Sequence, residues 1–426
     1  MINKINGGTY EYLDDLRSRG LLDQCSNEEL LRKMLETKQT IYCGFDPSAT
    51  SLQLGNFVMI TMLKRLQLAG HKIIAVIGGG TGMIGDPSGK KAERSFLKAE
   101  QVKHNVECIK KQLSYFLDFS SPDKGIIVDN YDWWSKISVI EFLRDYGKLF
   151  QINYMLGKDI VKSRLEVGIS YSEFSYMILQ SGDFYNLFKQ YGCRIQCGGG
   201  DQWGNLTSSL DFLRKYVGDE EDAGVFTLKL ITDSQGKKFG KSENGALYLD
   251  GNMTSPYQIY QYFMNVDDAS VEKFLRIFDL RSLDEIHQIY EKHMENPGLR
   301  AGQKELARVM VTTLHGAEKA AECEKMTSAL FKDEFVGLSK EALNEISKSL
   351  NKVESDESVE LIQALVDTKL ASSRREAREF LKANSIRVNG NIINDEHYLL
   401  SKDNALENEF FFIKRGKKNY AVLHLN

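Results

Sequence analysis

Tyr176, Gln180 and Asp183, within EFSYMILQSGDF, stand at i, i+4 and i+7 and so share one stripe of a helix. Their neighbours Phe174, Met177, Ile178 and Leu179 are apolar. Spacing alone leaves two readings open. The stripe faces solvent, or it supplies the few polar groups of a mostly apolar pocket for a polar amino acid. A second set is Lys237-Lys238-Phe239-Gly240-Lys241-Ser242. Lys238 and Lys241, separated by a glycine, can turn both ammonium groups toward one polyphosphate. Gly236, Gly240 and Gly245 around them suggest a loop that closes over a ligand. The third is YCGFDPSATSLQLGN, residues 42–56, where a short β-like run gives way to a loop of small hydroxyl residues and then a helix start. Free N–H groups and the helix dipole make such a junction an anion site, or simply an ordinary strand-to-helix turn.

The stretch KIIAVIGGGTGMIGD contains Gly80-Thr-Gly82-Met-Ile-Gly85, formally GxGxxG. A dinucleotide site needs a helix to begin inside that motif, and Asp86-Pro87-Ser88-Gly89 interrupts one. A P-loop is excluded as well, because Gly89-Lys90 is followed by Lys91 rather than Ser or Thr. What remains is a glycine-rich loop carrying Asp86, Lys90, Lys91 and Arg94, able to meet phosphate.

These residues need elements to position them. Phe57, Ile60, Leu63, Leu66 and Ala69 predict a helix stopped by Gly70. Residues 10–37 read as an amphipathic helical preface. Strands are expected at 41–45, 72–77, 125–129, 193–196, 225–231 and 246–249, with helical runs at 95–117, 137–147 and 150–190 between them. Such alternation implies an α/β fold, a parallel sheet with helices on both faces. From Pro256 the pattern is helical to about 333, and the charged run SKSLNKVESDES at 347–358 reads as a linker. The tail from 359 reads as a small α+β unit. With 426 residues, 42% hydrophobic and 27% charged, the chain has room for two or three domains. No apolar run reaches bilayer length, and the N-terminus lacks a secretory apolar segment. Six cysteines without a dense framework suit a reduced, cytoplasmic compartment; the Cys193/Cys197 pair has no nearby histidine to suggest a metal. A net charge of −4 means that any nucleic-acid surface must be local.

At these residues the chain resembles the bacterial-type tyrosyl-tRNA synthetases, class I aminoacyl-tRNA synthetases, along essentially its whole length. The resemblance is carried by YCGFDP, AGH at 69–71, IGDPSGKKAER, NYDWW, FLRDYGK, NYML, EFSYMILQ, GGGDQWGN, KFGKS and SSRREAREFLKANSIRVNG. KFGKS is similar to the class I KMSKS loop, and QLGN at 53–56 falls where the HIGH signature belongs. The resemblance implies a Rossmann-like catalytic domain over 1–250 and a helical anticodon-binding domain over 251–335. A linker over 336–358 and an S4-like RNA-binding domain over 359–426 complete it. It also implies a homodimer that uses ATP, with Mg2+ carried by the ATP, and tRNA(Tyr) and tyrosine as partners.

Carried over position by position, Tyr42 and Asp183 are implied to hold the tyrosine hydroxyl. Asp86, Tyr176 and Gln180 are implied to hold its ammonium group, with Gln202 beside the pocket. Cys43, Gly44, Asp46, Ser48, Gly55, Gly199 and Asp201 are implied to cradle ATP. Gln53, Asn56, Lys90, Arg94, Lys238, Lys241 and Ser242 are implied to act on the phosphates during adenylate formation. The tail supplies a local basic face from Arg374, Arg375, Arg378, Lys382, Arg387 and Lys414 to Lys418. Two departures stand out. Both HIGH histidines are replaced, by Gln53 and Asn56, whose amides can take over a hydrogen-bond-donor role. Gly182, just before Asp183, stands where the family often has a bulkier residue. A tryptophanyl enzyme of the same class and a catalytically silent RNA-binding relative are the rival expectations.

Overall fold

The computed structural model describes residues 12–88, 97–218, 222–234, 236, 238–242, 245–416 and 419–426. Lys90, Lys91, Arg94, Lys237, Lys417 and Lys418 therefore lie outside the described residues. The chain divides into two compact units. One comprises residues up to Met253 together with Val266–Gly302, the other Thr254–Asn265 together with Gln303–Asn426.

The first unit is built on a six-stranded sheet: β1 (Leu22–Cys25), β2 (Thr40–Phe45), β3 (Lys72–Ile77), β4 (Gly125–Asp129), β5 (Ile195–Gly199) and β6 (Gly224–Leu228). Their order is β1-β6-β5-β2-β3-β4, parallel throughout except for β1, which pairs antiparallel with β6. β3 is buried almost end to end, as a central parallel strand covered on both faces must be. The 10–37 stretch is not one helical preface. Helices Tyr12–Ser18 and Glu28–Leu35 flank β1, a strand of four residues, too short to print a period of two and formed because β6 offers it a free edge. The 137–147 run likewise breaks into short turns, Val139–Glu141, the π-helical Phe142–Tyr146 and Gly147–Leu149. The expected strand at 246–249 is reduced to a hairpin of β7 (Lys241–Ser242) and β8 (Gly245–Ala246).

In the second unit, helices Pro256–Met264 and Ala317–Lys332 meet, with Gln261 Nε2 donating to Thr327 Oγ1 at 2.9 Å. The stretch read as a linker is structured. It contains the helix Lys340–Lys348 and β9 (Asn351–Ser355), which pairs in parallel with β15 (Asn419–Leu425). β9 bonds on one side only and carries a single apolar residue, Val353, so no alternation announced it. A short pair, β10 (Val359–Glu360) with β13 (Leu399–Leu400), stands apart from this sheet. β11 (Ile386–Val388), β12 (Asn391–Ile392) and β14 (Phe410–Arg415) complete the sheet, against helices Leu361–Asp367 and Arg374–Lys382. Arg375 is exposed as expected. Lys414 is not: it is bound to Asp333 at 2.8 Å, with both side chains largely buried.

Candidate active site

In an open parallel sheet, ligands settle beyond the strand C-termini where the strand order reverses direction. Here that point lies between β2 and β5, since β3 and β4 continue to one side of β2 and β6 to the other side of β5. A cavity of about 590 Å3 opens there, lined from β2 and its loop by Tyr42, Cys43, Gly44, Asp46 and Ser48. Gly199, Asp201 and Gln202 line it from β5 and the turn after it, and Asp86 from the loop after β3. The stripe question is answered by burial. Tyr176, Gln180 and Asp183 lie on the Tyr171–Tyr191 helix and all three line this cavity, Tyr176 and Asp183 buried.

At the cavity's inner end, Asp183 Oδ1 accepts the indole N–H of Trp133 at 2.8 Å and of Trp134 at 2.7 Å. Asn130 Nδ2 donates to Oδ2 at 3.0 Å. Burial pushes the Asp183 carboxyl up to about 7, against the pull of these three donors. The Tyr42 hydroxyl is buried nearby without a hydrogen-bond partner, and burial with the Asp183 charge raises its pKa. Gln180 Oε1 and Gln196 Oε1 are also buried and unbonded. Such atoms are costly unless something bonds them, and these three line the cavity, where a ligand's polar groups could reach them. Asp86 is held by Ser88 N–H at 2.9 Å and Gln202 Nε2 at 2.7 Å, while Asn205 Nδ2 donates to Gln202 Oε1 at 3.2 Å.

The glycine run after β3 serves the protein's own side chains. Gly79 N–H donates to Asp129 Oδ1 at 3.0 Å and Gly80 N–H to Asn130 Oδ1 at 2.8 Å. A Cβ on Gly79 would stand 2.2 Å from that same Asp129 oxygen. Thr81–Met83 is a single 3-10 turn, with no long helix of the dinucleotide type.

At the outer end, Leu54–Asn56 forms a 3-10 turn leading into the Phe57–Ala69 helix, which stops at Gly70 with φ of +105°. Gln53 N–H donates to Asn56 Oδ1 at 3.0 Å, so the Asn56 oxygen is committed and its Nδ2 is left as a pure donor. Gln53, Gly55 and Asn56 are exposed to the cavity. The KFGKS segment is laced onto this turn. Leu54 N–H donates to Leu247 O at 2.7 Å, and Leu247 N–H donates to Gly240 O at 2.9 Å. Phe239 is buried, its ring 5.2 Å from Phe274 and 5.1 Å from Phe278, and Phe278 stacks on Phe57 at the helix start. Lys238 lines the cavity; Lys241 and Ser242, on the β7–β8 hairpin, do not.

Sequence reasoning missed Asn130, Trp133, Trp134, Gln196 and Asn205. NYDWW held a signal, since buried indoles need acceptors, but which acceptor depends on the turn after β4 meeting Asp183 of the Tyr171–Tyr191 helix.

The class I tRNA synthetase family model, tryptophan and tyrosine type, matches residues 34–332, and the tyrosine–tRNA ligase C-terminal domain model matches 342–423. The chain is 45% identical to the tyrosine–tRNA ligase of Ureaplasma urealyticum, covering 98% of this chain and 99% of that one. It is 46% identical to the Bacillus pumilus tyrosine–tRNA ligase, covering 97% and 99%. A C-terminally truncated mitochondrial tyrosyl-tRNA synthetase from Aspergillus nidulans matches with a TM-score of 0.69 and 29% identity, over 76% of this chain and 95% of that one. A tryptophanyl-tRNA synthetase from Plasmodium falciparum, at 16% identity and a TM-score of 0.54, shares the fold. With orphaned hydroxyl and amide atoms at one end of the cavity and a lysine loop laced to a helix start at the other, the chain belongs to the tyrosine–tRNA ligases, among the class I aminoacyl-tRNA synthetases.

Proposed function

We propose that the cavity joins tyrosine to ATP, the substrate hydroxyl bonding Tyr42 and Asp183. Its ammonium group bonds Asp86, Tyr176 and Gln180, beside Gln202. Cys43, Gly44, Asp46, Ser48, Gly55, Gly199 and Asp201 take the nucleotide. The observation that carries this reading is the unbonded Tyr42 hydroxyl buried beside Asp183, a donor and an acceptor together, which suit a phenol O–H that both accepts and donates better than an indole N–H that only donates. The tyrosine carboxylate attacks the α-phosphorus and pyrophosphate leaves in line, which requires positioning and charge stabilisation rather than a covalent nucleophile. Lys238 and the Gln53 and Asn56 amides act on the departing phosphates, together with Lys90, Arg94, Lys241 and Ser242. A ribose hydroxyl of tRNA(Tyr) then attacks the adenylate carbonyl and AMP leaves. Mg2+ travels with ATP as part of that substrate.

In the same reading residues 251–335 and the S4-like tail from 359 grip tRNA(Tyr), the tail through Arg374, Arg375, Arg378 and Lys382. The protein works as a cytoplasmic homodimer. Support for the dimer comes from Val139 and Ile140, 73% and 70% exposed, and from Leu143 and Ile152 close by in the chain, also exposed. ATP–pyrophosphate exchange with tyrosine, tryptophan and phenylalanine in parallel tests the reading. Exchange with tyrosine alone is expected; none with any of the three would favour a silent RNA-binding relative.

A further inference from the structure

Gly182 sits inside the Tyr171–Tyr191 helix, where glycine is disfavoured relative to alanine. A Cβ there would stand 2.5 Å from Trp134 Cη2, so the indole occupies the space that any side chain at 182 would take. Phe142 and Tyr146 pack on the indole, with ring centroids at 6.1 Å and 5.3 Å, and Tyr146 Cε1 also stands 3.0 Å from the Cβ position of Gly182. In that position its N–H reaches Asp183 Oδ1 at 2.7 Å, the oxygen that also takes the Trp133 N–H at 2.8 Å. A carboxylate oxygen accepts about two such bonds in the carboxyl plane. Oδ1 is therefore saturated, whereas Oδ2 carries one protein donor, Asn130 Nδ2 at 3.0 Å.

We propose that Trp134, admitted by Gly182, is a positioning residue for tyrosine recognition: together with Trp133 it fills Oδ1 of Asp183 and leaves Oδ2 as the acceptor for the substrate hydroxyl. Trp134 is not among the residues lining the cavity and acts only through the carboxylate. This rests on the reading of Asp183 as the hydroxyl partner. The consequence is that specificity for the phenol depends on the pair 134/182, neither member of which touches the substrate. The ionisable groups around Asp183 are Tyr42, Tyr146, Tyr176 and Asp46. Trp134 is a neutral donor to the ionised carboxylate, so its loss adds to the upward push of burial.

The test compares Trp134→Phe, which keeps a ring and removes the N–H, with Gly182→Ala, which crowds the indole, and Asp183→Asn as reference. Each is measured by tyrosine- and phenylalanine-dependent ATP–pyrophosphate exchange across pH 5.5 to 9. Both 134 and 182 variants are expected to raise KM for tyrosine by about ten- to a hundredfold, the range for a hydrogen bond to a charged group. KM for ATP should stay put, tyrosine-over-phenylalanine preference should fall, and the acidic limb of kcat/KM for tyrosine should move to higher pH. If both variants keep the wild-type KM, preference and limb while Asp183→Asn loses preference, Trp134 is only a space filler and the inference is overturned. If Asp183→Asn itself keeps the preference, the assignment of Asp183 is overturned and the inference goes with it. Should Trp134→Phe not fold, Gly182→Ala decides through the acidic limb rather than through KM: the crowding can lower affinity by shifting the helix, whereas an unmoved limb means that no donor to Asp183 was lost, and the inference is overturned.

Discussion

Gly240 of the KFGKS segment lies directly against Gly55 of the QLGN turn. A Cβ placed on Gly240 would stand 2.9 Å from the Gly55 backbone nitrogen and 3.3 Å from Leu54 Cβ. The lysine loop thus rests on the helix start whose N–H groups and dipole favour phosphate. Gly240 also has φ of +79°, where a side chain is strained whatever the space. Gly240→Ala is expected to lift the loop, lowering kcat for adenylate formation by about ten- to a hundredfold, as a misplacement of about 1 Å does. KM for tyrosine should hardly change. Stopped-flow measurement of adenylate formation checks it, and an unchanged rate would mean that the loop does not use this seat.

Asp183→Ala is expected to lose tyrosine-over-phenylalanine discrimination, because a buried site built for a hydroxyl rejects the analogue that leaves its groups unbonded; a tyrosyl enzyme is the general illustration of that rule. Exchange kinetics that kept the wild-type ratio would refute it.

The Asp183 carboxyl also sets a pH dependence. Its pKa in the folded chain, about 7, lies above the ordinary 3.8, so between these values the folded form holds a proton that the unfolded chain has released. The group's contribution to stability is therefore greatest below pH 4, falls as pH rises to about 7, and is level above that. Asp183→Asn should flatten this slope, as read by urea midpoints at pH 4.5, 6 and 7.5. Equal wild-type and mutant slopes would contradict it.

Gln53→Ala is expected to slow adenylate formation by about ten- to a thousandfold with little change in ATP affinity, the behaviour of a donor that acts on charge developing in the transition state. Asn56→Ala should do the same and also lower stability by about 1 kcal/mol, since its oxygen caps Gln53 N–H. Neither amide titrates, so no pH step near 6 to 7 should come from these two positions. Normal rates in both variants would make them bystanders.

Truncation has to respect β9. Ending the chain at Asp356 would strand Asn351–Ser355 without its β15 partner, whereas ending it at Leu338 removes the whole sheet. The shorter chain should keep tyrosine-dependent exchange and lose tRNA charging, because every residue lining the cavity lies at or before Tyr248. Parallel loss of both activities would argue against this division.

The alternation of strands and helices, the helix from Phe57 to Gly70 and the polar stripe on the Tyr171–Tyr191 helix were legible because each depends on neighbours within a few turns of chain. The motifs from YCGFDP to KFGKS carried the family on the same local terms. What the chain alone could not settle is which way such elements face and what they meet. The strands β1 and β9 exist because another strand offers an edge, across about 200 and 70 residues of chain respectively. Lys414 looked like part of a basic face until Asp333 was found beside it. The Asp183 site needed three donors brought from 130, 133 and 134, some fifty positions away, and a glycine whose use is visible only once the indole fills its place. Local pattern fixes what an element is; only packing in three dimensions decides which buried polar atoms find partners and which are left for a substrate.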